Sequence, residues 1–235
     1  MGYDVSFHPI SPDEMREWYF TPLTWIQQGQ EEKVLALAAQ HGMEDFYAEK
    51  YLDTLRVGVG TEADELFDKS HGFYIAVIQG FFRDYYYTRG SAFSFLAAEK
   101  PEYERYFTPW DQVTPSAFPN PARNCIVENY CSGVYLSPVQ AAQLLRDLEQ
   151  DQKVREELEG LWSDGQLAVL KKALTAAVEL GTGLLEATEV VEPNPIRPNE
   201  SECYSNLYHC DRDGVYLYID TVRKQLEDSA RGVEG

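Results

Sequence analysis

The chain has 235 residues, of which 44% are hydrophobic, so it is long enough to bury a substantial core. It carries 39 acidic and 20 basic residues, a net charge of −19 at pH 7, and the acidic excess is spread evenly between residues 1–124 (19 acidic, 10 basic) and the rest. A surface that is acidic throughout repels nucleic-acid phosphates and anionic lipid, so we predict no nucleic-acid or membrane partner. The same charge favours a basic protein partner, or simply confers solubility.

We expect a soluble, cytoplasmic protein. The N-terminus shows no basic segment followed by an apolar run, and the longest nearly apolar run, Gly72 to Phe82, is shorter than the ~20 residues that span a bilayer. In the cytoplasm the four cysteines are expected to be reduced thiols. The sequence leaves open whether the chain forms a homo-oligomer.

The chain begins with a strand, a Ser-Pro turn and a helix. Apolar and polar residues alternate from Tyr3 to His8, which predicts a strand with one buried face. Ser11 to Glu14 then forms a capping box with Pro at the first helical position. We predict that this helix ends near Phe20, before Thr21-Pro22.

Helices follow over most of the next 80 residues. Helical spacing of apolar residues predicts helices over 30–40, 43–55 and 91–98. Thr61 is predicted to cap a long helix with an apolar centre from Phe73 to Phe82, which closes over residues 83–90. Three prolines then mark the segment 114–121 as a loop.

The strand–Ser-Pro–helix unit recurs from Ile126 to Leu148. A strand with its most apolar part at Val134 to Leu136 precedes Ser137 to Gln140, a second capping box that opens a helix. A further helix is predicted over Lys153 to Trp162.

The last third is predicted to add two helices and a strand. A third capping box at Ser163 to Gln166 opens a helix that ends at Gly181, and Leu184 to Val191 has the composition of a strand. The apolar residues from Val215 to Leu226 fit either a helix or a short strand. We therefore predict a mainly helical α+β protein whose small sheet is built from strand–Ser-Pro–helix units. Residues 1–235 form a single domain in this prediction, with two lobes meeting near the loop 114–121 as the alternative.

Three of these features resemble the YfbM-like family of small uncharacterised bacterial proteins. They are the Met1-Gly2 start with its early strand, the step Tyr135-Leu136-Ser137-Pro138 into a helix, and the helix ending Glu179-Leu180-Gly181 before a strand. The resemblance covers roughly a third of the chain and implies a bacterial protein with an α+β fold. The region 61–120 and the chain after Glu192 depart from the family pattern. The family brings no established activity, so the resemblance assigns no functional residues.

The cysteines are the first candidate metal ligands. Cys125 and Cys131 form one pair, and Cys203 and Cys210 form another beside His209. Zinc ligands usually lie two to four residues apart, and both spacings are longer. We predict partly buried thiols and no zinc site.

The segment from His209 to Asp220 imitates a calcium-binding loop. Asp211, Asp213 and Gly214 stand at loop positions 3, 5 and 6, but a His at position 1 and an Asp at position 12 depart from the motif. We interpret the segment as a turn in which Asp213 caps the last helix. We therefore predict no metal and no cofactor.

An aromatic block between residues 85 and 110 is the predicted binding site. Tyr and Arg are enriched at interface hot spots, and three consecutive tyrosines on a helix cannot all face inward, because successive side chains lie about 100° apart. At least one of the three is therefore expected to be exposed. For the block as a whole, an aromatic core whose hydroxyls reach water is the favoured interpretation, and the block is the best candidate for a binding site. The residues predicted to bind a partner are Tyr85, Tyr86, Tyr87, Arg89 and Trp110.

The sequence favours a non-enzymatic interaction protein, regulatory or toxin-neutralising in type, that binds a basic protein partner. The alternative is an enzyme of unrecognised class with a pocket near the aromatic block and His71, in which Tyr85 and a carboxylate such as Glu128 take part. A redox or metal sensor that uses the cysteines is the third hypothesis. No nucleophile elbow, H-E-x-x-H, phosphate loop or dinucleotide pattern occurs in the sequence, so we assign no catalytic residue.

Overall fold

A computed structural model describes residues 3–62, 68–115, 118, 133–162, 165–201 and 207–232. The strands are β1 (Tyr3–Ile10), β2 (Tyr85–Gly90), β3 (Tyr135–Leu136), β4 (Gly183–Thr188) and β5 (Cys210–Asp211). The helices are α1 (Pro12–Met15), α2 (Thr21–Gln27), α3 (Glu31–Gln40), α4 (Asp45–Gly58), α5 (His71–Phe82), α6 (Phe93–Glu99), α7 (Pro138–Gln150), α8 (Gln152–Leu161), α9 (Leu167–Leu180) and α10 (Asp213–Gly232).

One mixed sheet runs through the described part of the chain, with its five strands in the order β3-β4-β1-β2-β5. β1 lies at the centre and is antiparallel to both neighbours, so Val5 is opposite Thr88 on one side and Thr188 on the other. β3 extends the sheet antiparallel to β4, and β5 runs parallel to β2. The prediction of a mainly helical α+β fold is confirmed.

Helices cover both faces of this sheet. On one face α5 packs against β1 and β4, and buried side chains of α2, α3 and α4 join the same core. On the other face α9 crosses β1, β2 and β4, with α6, α7 and α8 around it. α10 packs along β2, the strand beside β5. The central strand is therefore buried on both sides.

Burial of both faces of β1 corrects the prediction of a strand with one buried face. Asp4, Ser6 and His8 are 4%, 1% and 0% exposed. Hydrogen bonds accommodate these polar side chains: the His8 ring nitrogens lie 2.7 Å from Gln79 Oε1 and 2.8 Å from Ser6 Oγ, and the Tyr87 hydroxyl donates to Asp4 over 2.6 Å. Alternation predicted the strand correctly, but it could not indicate that a second layer of helices covers the polar side.

The capping boxes predicted at Ser11 and Ser137 are confirmed. Each serine hydroxyl accepts a bond from the backbone N–H three residues later. The side chains of Glu14 and Gln140 accept from the serine N–H groups over 2.8 and 2.9 Å. The box predicted at Ser163 lies outside the described residues.

The first helix does not end at Phe20 as predicted. A π-helical turn (Arg16–Phe20) joins α1 to α2 without a break. Pro22 has no N–H to donate, and its ring clashes with the preceding turn of a regular α-helix. The wider π turn accommodates it, so the proline lies in the first turn of α2 instead of ending the helix.

Two later boundaries also differ from the prediction, and one ambiguity is resolved. α5 begins at His71 and not at Thr61, with Ser70 Oγ accepting from Phe73 N–H. Residues 83–90 do not close this helix, because they include β2. The last segment, which the sequence left as helix or strand, is helical over all of α10. Among the described helices, none is long and apolar enough to cross a membrane.

Candidate functional site

The three consecutive tyrosines lie on a strand and are all buried. Tyr85, Tyr86 and Tyr87 are 1%, 8% and 0% exposed in β2. Tyr86 faces the core around α9, while the other two face the opposite side, in a cluster with Val215 of α10. The prediction that at least one is exposed is wrong, because a strand covered on both faces buries side chains that point either way.

Arg89 and Trp110 are also largely enclosed. The Arg89 side chain is 28% exposed, donates to Asp4 over 2.5 Å, and lies over the Tyr218 ring of α10 at 4.9 Å. Trp110 is 2% exposed, and its Nε1 donates to the Gly133 carbonyl over 2.9 Å. The binding role of the five aromatic-block residues stays a prediction, and Arg89 is the only one of them with substantial exposure.

His71 belongs to the core. It is 4% exposed, and its Nδ1 lies 2.7 Å from the Tyr19 hydroxyl. Burial lowers the pKa of His71 to about 4, so the ring is neutral near pH 7. Tyr85, which the enzyme hypothesis placed beside it, instead stacks on His8 with ring centroids 5.0 Å apart. Glu128 lies outside the described residues.

Within the described residues, no group of three or more His, Cys, Asp or Glu side chains could hold a metal ion. The calcium-like segment is held by an ion pair instead: Lys172 Nζ lies 2.6 Å from both Asp211 and Asp213. Cys210 is the one described cysteine and is a buried free thiol. The part of the chain that the structure describes does not include Cys125, Cys131 or Cys203.

A polar pocket of about 400 Å³ lies where α4 meets the chain on either side of β5. We call it the His209 pocket. Tyr47 of α4 lines one side, and Asn199 comes from the loop after β4. The turn from Leu207 to Cys210 and the side chain of Arg212, just before α10, complete the lining.

The backbone of His209 is in an uncommon conformation. Its φ is +54°, in the left-handed region that residues other than Gly seldom adopt, although Asn, Asp and His do so more often than the rest. It is the third residue of a turn in which the Cys210 N–H donates to the Leu207 carbonyl over 3.1 Å. Gly or Asn is the usual choice at such a position, and His209 makes side-chain contacts from it.

Two contacts hold the imidazole of His209. Its Nδ1 lies 3.2 Å from the carbonyl of Gly80, near the C-terminus of α5. A carbonyl can only accept, so Nδ1 carries the proton and Nε2 of the neutral ring is the acceptor nitrogen. Tyr208 stacks on the imidazole with centroids 3.9 Å apart, and Tyr47 stacks on Tyr208 at 3.7 Å. The pocket thus has a fixed imidazole beside a wall of stacked rings.

Cys210 is not a nucleophile in this setting. Burial raises the pKa of its thiol to about 12, against a smaller opposing effect from a hydrogen bond with Tyr85. The thiol is therefore protonated near pH 7, and the thiolate is the reactive form. The contact also places Tyr85, one of the predicted binding residues, directly behind the pocket wall.

The described lining of the pocket differs in composition from the acidic chain as a whole, although Glu44 and Asp211 lie near Tyr208 and Cys210. Arg212 contributes a guanidinium and His209 an imidazole, and no Asp or Glu is among the described residues that line it. Arg212 Nη1 donates to the Pro198 carbonyl over 2.9 Å, which fixes the guanidinium at the pocket wall. The net charge of the whole chain is −19, so this local composition is distinctive.

The sequence offers His209 and Cys210 as metal ligands, and the cysteines also as groups of a redox sensor. It does not reveal the pocket, because Tyr47 and Asn199 join the turn only through the tertiary fold. The one local signal is a His four residues before Asp213-Gly214, and it carries no information about the distant residues. Comparisons of the chain with family models, with curated proteins and with solved structures found no match. The resemblance to the YfbM-like family accordingly stays a prediction.

Proposed function

We propose that the protein binds a small anionic ligand, with a carboxylate or phosphate group, in the His209 pocket. The observation that supports this proposal is a lining of Arg212, His209 and Asn199 without a lining carboxylate, in a chain of net charge −19. The volume of about 400 Å³ is within the range of small-molecule sites.

Each polar group has a distinct part in this proposal. The planar guanidinium of Arg212 has five N–H donors and uses one of them on Pro198, so it can pair with a carboxylate or phosphate through others. The Asn199 amide can donate to a ligand oxygen. His209 Nε2 accepts a hydrogen bond from a ligand hydroxyl or N–H. The stack of Tyr208 and Tyr47 keeps the imidazole in place and so limits the entropy lost on binding.

Reversible binding fits the pocket better than covalent catalysis, because the Cys210 thiol is held protonated. An enzyme of unrecognised class stays the alternative proposal. In that case the acceptor nitrogen of His209, and not the buried His71, is the group that would take a proton from the substrate.

Calorimetric titration with phosphate, citrate and adenosine monophosphate tests the binding proposal. We expect at least one of these anions to bind, and R212Q to weaken its affinity roughly tenfold or more, since a charged partner is lost. R197Q is the matched control, because Arg197 is an exposed arginine paired with Glu200 and its loss changes the net charge equally. H209N keeps a residue that tolerates positive φ and removes the imidazole, so it should fold and bind more weakly. Absence of binding by all three anions, or equal losses in R212Q and R197Q, would contradict the proposal.

We also propose a basic protein partner, with a regulatory or toxin-neutralising role, as the second candidate function. It is supported by the evenly spread acidic charge and by two exposed apolar side chains on α10, Tyr216 at 56% and Leu226 at 66%. A pull-down at low salt should recover a basic protein that high salt releases and that L226E no longer binds. Recovery of the same proteins with L226E and wild type would count against α10 as the contact.

A further inference from the structure

A second cavity lies on the opposite face of the sheet from the core around α5, between α7, α8 and α9. Its volume is about 450 Å³. Leu148 at the end of α7, Leu167 and Ala168 at the start of α9, and the indole of Trp162 give it mainly apolar walls. We call it the Trp162 cavity. The described residues that line it are all different from those that line the His209 pocket.

The Trp162 ring is a fixed part of this wall. The side chain is 1% exposed, and its ring packs against Phe7 with centroids 5.9 Å apart and against Phe93 at 6.3 Å. A Cβ atom at Gly90 would lie 2.9 Å from the indole, so the sheet itself fits closely behind the ring. The apolar surface of the cavity is therefore preformed and does not depend on a side chain that must first become ordered.

Two cations stand at the rim of the cavity. Arg155 is held rigidly, because its Nε and Nη2 donate to the carbonyls of Leu148 and Glu149 over 3.1 and 2.7 Å. Lys171 lies 2.9 Å from the Glu149 carboxylate, and both side chains of that pair are about half exposed, so the pair is weak and can exchange partners. Glu159 is the one carboxylate among the described lining residues, so two cations stand against it there, and Glu149 lies beside the lining as the partner of Lys171.

We propose that the Trp162 cavity binds an amphipathic organic anion, which places an apolar ring or chain against Trp162 and Leu167 and its acidic group between Arg155 and Lys171. The apolar walls supply affinity by removing hydrocarbon from water, and the rim cations select an anion over a neutral molecule. A preformed apolar cavity with a few polar groups at its mouth is the usual form of a site for such a ligand.

The experiment uses two fluorescent probes of similar shape, the anionic 8-anilinonaphthalene-1-sulfonate and the uncharged N-phenyl-1-naphthylamine. We expect the folded protein to bind both saturably, with the sulfonate quenching tryptophan fluorescence in wild type and less so in W162F. A168W fills the cavity mouth from an exposed helical position, so it should lower the affinity for both probes roughly tenfold or more. K171Q should lower the affinity for the sulfonate severalfold and leave the affinity for the uncharged probe unchanged, as expected for a loss of charge alone.

K153Q is the matched control, because Lys153 is an exposed lysine on α8 that does not line the cavity. Circular dichroism checks that each variant is folded, since the sulfonate probe also binds partly unfolded chains. The proposal is overturned if the binding of neither probe saturates, or if A168W binds both probes as tightly as wild type does. It is also overturned if K171Q and K153Q lower the affinity for the sulfonate equally.

Discussion

At the scale of single residues, Glu186 has an environment that is unfavourable to its charge. It lies in β4 opposite Phe7 of β1 and is 1% exposed. Its Oε1 accepts from the Phe93 N–H over 2.6 Å. Burial raises the pKa of this carboxyl to about 7, although the N–H groups of Phe93 and Ser94 favour the charged form. Near neutral pH the protein therefore holds a half-protonated acid inside its core.

The raised pKa of Glu186 makes the free energy of unfolding depend on pH. Because its folded-state pKa of about 7 is above the ordinary 4.5, it stabilises the fold fully below pH 4.5 and loses that contribution as pH rises through 7. We expect E186Q, which does not titrate, to gain about 2 kcal/mol relative to wild type between pH 5.5 and pH 8. Urea unfolding at the two pH values measures this difference.

The two buried histidines lower the stability at acidic pH instead. Their effect is the same in wild type and E186Q, so it cancels in the difference between the two proteins. Burial lowers the pKa values of His8 and His71 to about 4, so both weaken the fold as pH falls below 6.5, in wild type and variant alike. A free-energy difference between E186Q and wild type that is the same at both pH values would show that Glu186 keeps an ordinary pKa.

At the scale of elements, the docking of α10 onto β2 depends on the absence of a side chain at one position. Gly214 lies in the first turn of α10, and a Cβ atom there would be 1.7 Å from the carbonyl oxygen of Tyr87. The helix and the strand are therefore in backbone contact. This contact holds α10 against the strand that carries Tyr85, Tyr86 and Tyr87.

Alanine at Gly214 should force the two elements apart. We expect G214A to destabilise the protein by roughly 1–3 kcal/mol, as overpacking does in a close contact. G160A is the control: Gly160 lies inside α8, and a Cβ atom there would meet nothing within 4 Å, so alanine should stabilise the protein by about 0.5–1 kcal/mol. Chemical denaturation measures both, and similar effects of the two substitutions would rule out the close approach of α10.

Local signals in the sequence predicted which helices and strands form better than they predicted how those elements pack. The capping boxes at Ser11 and Ser137 depend on residues three positions apart, and both were predictable. The three tyrosines were predicted to lie on a helix because they directly follow the apolar helix α5, although tyrosine also favours strands. No local pattern indicates that helices cover both faces of the sheet. The His209 pocket joins residues 47, 199 and 209, and no local pattern relates them.

At the scale of the whole molecule, the sheet combines the two halves of the chain. β1 and β2 precede residues 114–121, whereas β3, β4 and β5 follow them, and the order β3-β4-β1-β2-β5 mixes the two halves. A lobe made of either half alone would lack a neighbour for a central strand. The single domain stays the prediction, with two lobes meeting near residues 114–121 as the alternative.

A single cooperative unfolding transition is expected from this arrangement. Trp18 belongs to the core around α5, and Trp162 belongs to the core around α9 on the other face. Fluorescence of W18F and of W162F, each compared with far-UV circular dichroism of the same variant, should give coincident midpoints. Separate midpoints for the two signals would support independent lobes.

The central position of β1 also determines when the protein can fold during its synthesis. β1 pairs with β4 (Gly183–Thr188), which is synthesised on the order of ten seconds after β1 at ordinary elongation rates. Until then Val5 and Phe7 lie on a strand with an unpaired edge, and the nascent chain is exposed to aggregation. A chain terminated before Gly183 would consequently not be a smaller folded protein but a sheet without its middle pairing, a substrate for chaperones or proteases.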